Sequence, residues 1–221
     1  GGGPTTKPIL RNCLLVADGG GVRIEVTDLD VSARLHLERQ EVDGKGKLTL
    51  PAARLLSLVR EVPGNRVVIE SMEDGKGATI CSEGGEYSFK LLGESADEFP
   101  EVRSFAGEKA FELPAGKFSE MLRRVAVASS RDTSRYQLTG VFCEIEGKKL
   151  KMTATDGKRL TTDEMKIENS GSKAISGIIP NRAADVMVKV LSQGSENIKL
   201  ALEEIEVQMS FDGGALIAKL V

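Results

Sequence analysis

Three stretches of the chain repeat one pattern: a short strand, a proline, then an amphipathic helix. They run 48–62, 111–125 and 177–191. Counted from Pro51, Pro114 and Pro180, positions +7, +8 and +11 are apolar in every copy. These are Leu58, Val59 and Val62, then Met121, Leu122 and Val125, then Met187, Val188 and Leu191. Residues at that spacing share one helical face. Proline suits the first helical turn, where its missing N–H would have no partner anyway. Position +9 is basic each time, as Arg60, Arg123 and Lys189.

Two further markers recur in step with the helices. A Thr-Asp pair stands between alternating strands as Thr27-Asp28 and Thr155-Asp156, and the next proline follows 24 and 25 residues after the threonine. A closing strand reads Phe89–Leu92 and Ala218–Val221, with 39 residues from Pro51 to Lys90 and again from Pro180 to Lys219. The chain therefore holds two copies of one unit.

The rest of each unit reads as strand. Val22, Ile24 and Val26, Leu150, Met152 and Ala154, Ile198, Leu200 and Leu202, and Ile205, Val207 and Met209 alternate with polar residues. That is the pattern of half-buried antiparallel strands. Turns are expected at Asp18-Gly19, Asp74-Gly75, Glu146-Gly147 and Asp212-Gly213. A complete unit reads βαβββ twice, an α+β arrangement of two four-stranded sheets with two helices packed on them. The expected domains are 1–106 and 107–221, with residues 103–109 as the linker. The repeat spacing puts the first unit's opening strand and helix about 14 residues before Gly1. The second unit stops before any counterpart of residues 93–100, so a longer parent is expected beyond both ends. The opening Gly1-Gly2-Gly3-Pro4 reads as a vector remnant or a cut end.

Several classes of function are excluded or disfavoured. No apolar run approaches the roughly 20 residues that cross a bilayer. Cys13, Cys81 and Cys143 are scattered, which fits buried thiols of a reducing cytoplasm better than disulfides or zinc ligands. The single histidine, His36, rules out a two-histidine metal site, and its place within a strand suits a general base poorly. No phosphate-binding glycine loop, nucleophile elbow or dinucleotide fingerprint is present. No cofactor is expected. Asp28 and Asp156 could each lend a carboxylate to a two-metal nuclease. Their matched repeat positions favour a local hydrogen-bonding role in a turn.

The charge is unevenly placed. The three helical segments hold seven basic residues (Arg54, Arg60, Lys117, Arg123, Arg124, Arg182, Lys189) and three acidic ones (Glu61, Glu120, Asp185). They carry a surplus of four positive charges in a chain of net charge −3, so the remainder carries −7. A basic helix layer on an otherwise acidic body attracts phosphate on one side and repels it elsewhere. No aromatic residue interleaves these helix faces, which favours the duplex backbone over stacked single-stranded bases.

A duplicated βαβββ unit with basic helices resembles the sliding clamps, and among them the β subunit of bacterial DNA polymerase III. The residues that carry the resemblance are 8–18, Thr27-Asp28-Leu29 and 97–100 in the first unit, and 135–140, 154–160 and 219–221 in the second. The resemblance spans essentially the whole chain. It implies the DNA clamp fold, with a third domain absent and the helices turned toward the DNA. It also implies a head-to-tail homodimeric ring that closes around duplex DNA in the cytoplasm and is not itself catalytic. Implied partners are the polymerase catalytic subunit, the clamp loader and other proteins with clamp-binding motifs. The DNA-contacting residues would be Arg60, Lys117, Arg123, Arg124, Arg182 and Lys189 on the helices. The loop from Arg131 to Gln137 would add Arg131, Arg135, Tyr136 and Gln137. Gln137 stands where some members carry a second tyrosine, and Gly3 where some carry an arginine. One wall of the peptide-binding pocket would be Leu138, Thr155, Gly157, Lys158, Arg159 and Leu160. The other readings are a metal-dependent phosphodiesterase built on Asp28 and Asp156, and an interaction scaffold without DNA contact.

Overall fold

The computed structural model describes residues 7–19, 21–37, 40–107, 110–168 and 174–221. It divides into two compact units, Gly1–Val102 and Arg103–Val221.

In the first unit, β1 (Asn12–Ala17), β2 (Val22–Thr27), β3 (Val31–Leu37) and β4 (Gly46–Pro51) form an antiparallel sheet in the order β4-β1-β2-β3. Helix α1 (Ala52–Glu61) follows, then the three-stranded sheet β5 (Val67–Ser71), β6 (Gly77–Ser82) and β7 (Ser88–Leu92). Strand β1 is buried on both faces. Cys13 and Leu15 pack with Leu50, Leu55 and Ile80, while Leu14 and Val16 pack with Ile9, Phe99 and Val102. The Asp97–Pro100 segment thus closes the face of the sheet away from the helix.

In the second unit, β8 (Phe111–Pro114) leads into α2 (Ala115–Ala126) and then β9 (Gly140–Glu146), β10 (Lys149–Thr155) and β11 (Leu160–Lys166). The pattern repeats with β12 (Ile175–Pro180), α3 (Asn181–Leu191), β13 (Asn197–Leu202), β14 (Glu206–Phe211) and β15 (Gly214–Lys219). Each half gives its first strand to the other half's sheet: β12 pairs with β9, and β8 pairs with β13. The sheets run β11-β10-β9-β12 and β15-β14-β13-β8. Phe118, Met121, Leu122 and Val125 of α2 and Ala183, Ala184, Met187 and Leu191 of α3 fill the core between them.

The fold departs from the sequence reading in three places. Each repeat proline is the last residue of its strand and the residue before the helix, with an extended ψ of 108°, 118° or 146°. The ring fixes φ near −60° in either setting, so it serves the corner as well as the first turn. Ile205 lies in the turn before β14 and is 72% exposed. Glu25, on the supposedly outward face of β2, is buried, and both Arg23 and Arg34 pair with it at 2.9 Å. Two guanidiniums offset the desolvation of that carboxylate. Of the expected linker, Arg103 pairs with buried Glu206 and the Ala106 N–H donates to Gln208, both in the second unit. Its Glu108 and Lys109 lie outside the described residues.

Candidate functional site

The Thr155–Leu160 segment is a self-braced turn between β10 and β11. The Thr155 hydroxyl accepts the Gly157 N–H at 3.0 Å and donates to the Arg159 carbonyl at 2.6 Å. Asp156 Oδ1 accepts the Lys158 and Arg159 N–H groups at 3.0 and 3.1 Å, and Oδ2 accepts from Arg159 Nε at 3.0 Å. The backbone N–H groups of Lys158 and then Arg159 hold the Asp156 carboxyl below its ordinary range. Gly157 has φ +87°, a conformation that L side chains rarely adopt. With the backbone fixed this way, Lys158, Arg159 and Leu160 are all exposed, Leu160 by 65%.

The loop after α2 approaches the same turn. Ser130 N–H donates to the Leu138 carbonyl at 2.8 Å, and Asn181 Nδ2 donates to the Ser130 carbonyl at 2.9 Å. Asp132 caps the 3₁₀ turn Thr133–Leu138 by accepting the Ser134 N–H at 2.9 Å, and that bond depresses its carboxyl. Tyr136 is 61% exposed, Gln137 is exposed and Leu138 is half-buried. A Cβ built on Gly157 would stand 3.6 Å from Arg135 Nη1, so this guanidinium lies against the turn. Arg131, Arg135, Lys158 and Arg159 line one open basin of about 810 Å³, together with Asp132, Asp156 and the end of α2. The structure thus brings the loop cations and the turn residues to a single place.

On the helices, Arg60, Lys117, Arg123, Arg182 and Lys189 are exposed. Arg124 is exposed as well. It pairs with Glu120 at 3.2 Å and with Asp163 of β11 at 2.9 Å, so its charge is already shared. The sequence could not reveal that partner, which lies 39 positions away on a strand.

Asp28 accepts the Asp30 and Val31 N–H groups at 3.0 and 2.8 Å, so both Thr-Asp carboxylates brace their own turns. Among the described residues no group of three His, Cys, Asp or Glu could hold a metal ion. Burial pushes the Cys143 thiol up to about 12 and raises that of Cys13, so both stay protonated. His36 is an exposed residue of β3. No helix among the described residues is long and apolar enough to cross a membrane. Asp132 is the residue that sequence reasoning passed over at this site. Its only signal was an Asp two residues before the N–H it binds.

Residues 3–103 match the family model of the N-terminal domain of the DNA polymerase III beta subunit, and residues 112–221 match that of its central domain. A beta sliding clamp of Chlamydia pneumoniae is 31% identical over 98% of this chain and 58% of its own length. One of Synechococcus elongatus is 32% identical over 94% of this chain and 55% of its own length. The crystal structure of the Bacillus subtilis DNA polymerase sliding clamp superposes with a TM-score of 0.89 at 26% identity, covering 98% of this chain and 58% of that one. The chain thus spans less than two thirds of the length of these relatives.

Proposed function

Since the chain belongs to the DNA polymerase III β subunit family, the bacterial sliding clamps, we propose that it forms two domains of a ring that holds a replicative polymerase on duplex DNA. The boundary between those domains falls at residues 103–109, and the role is non-catalytic. The observation that carries the reading is the exposed basic residue recurring at one position of all three helices, Arg60, Arg123 and Lys189. Lys117 and Arg182 add further exposed cations to α2 and α3, and Arg124 pairs with Glu120 and Asp163. Duplex DNA presents a phosphate about every 1.7 Å of its axis, so exposed cations on the helices suit contact with the backbone, which ignores sequence and permits sliding. Arg131, Arg135, Tyr136 and Gln137 extend the DNA contact along the loop.

The Thr155 turn has a second role in this reading. Leu138 and Leu160 provide apolar anchor sites for short linear motifs, with Thr155, Gly157, Lys158 and Arg159 as the frame and rim. The partners are the polymerase catalytic subunit, the clamp loader and other motif-bearing proteins. The ring is a homodimer working in the cytoplasm.

The test is retention on circular against linear DNA by the ring-competent protein that carries these residues. A sliding ring stays on circles and runs off linear ends, whereas a scaffold without DNA contact is retained by neither. Replacing Arg60, Arg123 and Lys189 by Glu should weaken retention and flatten its salt dependence, by roughly one unit of slope for each phosphate no longer neutralised. An unchanged slope would mean that those side chains do not face DNA.

A further inference from the structure

Two matching corners of the second unit differ by one side chain. The first backbone N–H of each helix reaches the residue just before a strand of the other half. Ala115 N–H donates to the Glu196 carbonyl and Asn181 N–H to the Thr139 carbonyl, both at 2.9 Å. Only Asn181 adds a side-chain bond there, with Nδ2 donating to the Ser130 carbonyl at 2.9 Å. The residue after the repeat proline is Ala52 and Ala115 in the other copies, so the amide is the exception. The loops differ as well: five residues lie between α3 and β13, and thirteen between α2 and β9. Ser130 and Thr139 flank residues 131–138 of the longer loop, so Asn181 grips both of its ends. Strand β12 comes close enough for this because Gly140 has no side chain. A Cβ there would stand 2.5 Å from the Ile179 carbonyl oxygen. Inside the grip, the Ser130 hydroxyl accepts the Asp132 N–H at 3.0 Å, and the Thr139 N–H donates to the Tyr136 carbonyl at 3.0 Å.

The amide adds little to stability. Asn181 Oδ1 is buried and accepts no hydrogen bond among the described residues. Turning the amide over would set Oδ1 against the Ser130 carbonyl, acceptor to acceptor, so the donor has to face the loop. A buried acceptor left unmet offsets what one neutral hydrogen bond contributes. What remains is geometry. We propose that Asn181 is a positioning residue: it locks the 131–138 loop to the first turn of α3, so that Arg131, Arg135, Tyr136 and Gln137 meet DNA in one fixed shape. The proposal rests on the reading of that loop as a DNA contact. A loop ordered in advance binds more tightly, because its ordering is completed in folding rather than in binding.

The test uses Asn181→Ala and Asn181→Asp. The second keeps the side chain's volume, removes the donor and suits the positive end of a helix, so it separates loss of the grip from loss of the fold. In the 221-residue chain, amide hydrogen exchange at Ser130 and Thr139 should quicken about fivefold in both variants. Exchange in β9, β10 and α3 should stay at the parent's rates, as should the melting temperature of Asn181→Asp. In the ring-competent protein, DNA affinity should fall about threefold while the salt slope stays at the parent's value, because no cation has been removed. Arg182→Ala should instead flatten that slope by about one unit. Parental exchange rates at Ser130 and Thr139 overturn the proposal. So does a flattened slope in Asn181→Ala, since the residue would then act through the charge of Arg182. Faster exchange with unchanged DNA affinity means that the loop's shape is idle in DNA binding. The proposal then fails, while the ring reading, tested on circular against linear DNA, stands.

Discussion

The turn that joins β2 to β3 and the turn that joins β10 to β11 share one backbone and differ in what they present. In both, the threonine hydroxyl accepts the N–H two residues on at 3.0 Å, and the aspartate Oδ1 accepts the next two N–H groups. In both, the third residue has positive φ, +77° at Leu29 and +87° at Gly157. The outward residues then diverge. Asp30, Val31 and Ser32 stand where the second unit has Lys158, Arg159 and Leu160. Thr and Asp maintain the corner, and the following three positions set what it presents. The units differ likewise in their helices. Leu55 is the one buried residue of α1, which leaves Leu56 51% exposed, whereas α2 buries five residues and α3 four.

The largest test of this contrast is in the helices. Phe118→Ala should cost about 3–5 kcal/mol in urea unfolding, because a fully buried ring leaves a cavity. Leu56→Ala should cost below about 1 kcal/mol. Similar costs would show that the first unit's helix is packed as tightly as the second's. Next, Leu160→Asp in the ring-competent protein should weaken peptide binding by about 2 kcal/mol in calorimetry, because an anchor is removed and an unpaired carboxylate is put in its place. Its DNA retention should hold, and Ser32→Ala should leave peptide binding alone. If a folded Leu160→Asp variant binds peptide normally, the two turns do not differ in function.

A smaller effect has opposite signs at the two corners. Gly157→Ala should lower stability by about 1 kcal/mol, since a Cβ is strained at that φ. Leu29→Asn should raise stability by about 0.5–1 kcal/mol, because asparagine tolerates the left-handed region better than leucine. Thermal melts of both variants against the parent would expose any departure from that reversal. The smallest effect is in pH. The folded state depresses the Asp156 pKa, so its contribution is complete above the ordinary value of 3.8 and is lost only as pH falls through the lower folded value. The carboxyl carbon of Asp156 should therefore titrate with a midpoint below 3.8, and a midpoint above it would mean the brace is absent in solution.

The repeat was legible because its markers are local. Proline, Thr-Asp and the apolar +7, +8 and +11 positions recur at spacings that a single sequence shows directly, and the three helices lie within one or two residues of their expected bounds. Burial of Glu25 was not legible, because alternation assumes one wet face, whereas residues 96–102 cover the second face of that sheet. Alternation also drew Ile205 inward, although the turn ends before the strand's inward positions begin. At the site, the sequence named the turn but could not show that Leu160 would be 65% exposed or that Arg135 would lie against Gly157. Those facts depend on approach between segments 20 or more positions apart.

The exchange of first strands within the second unit governs when it can assemble. Leu113 of β8 pairs with Ile198 of β13, 85 positions later, and Gly140 of β9 pairs with Pro180 of β12. During synthesis the β9 edge waits for residues 175–180 to leave the ribosome, and β8 waits longer still. Neither half can be finished and set aside while the other is made. An emerging chain therefore carries open strand edges, which invite pairing with other chains. Closure over such long loops is also slow. A chaperone that shields strands until residue 202 is clear would raise the yield of this unit more than one that shields its helices.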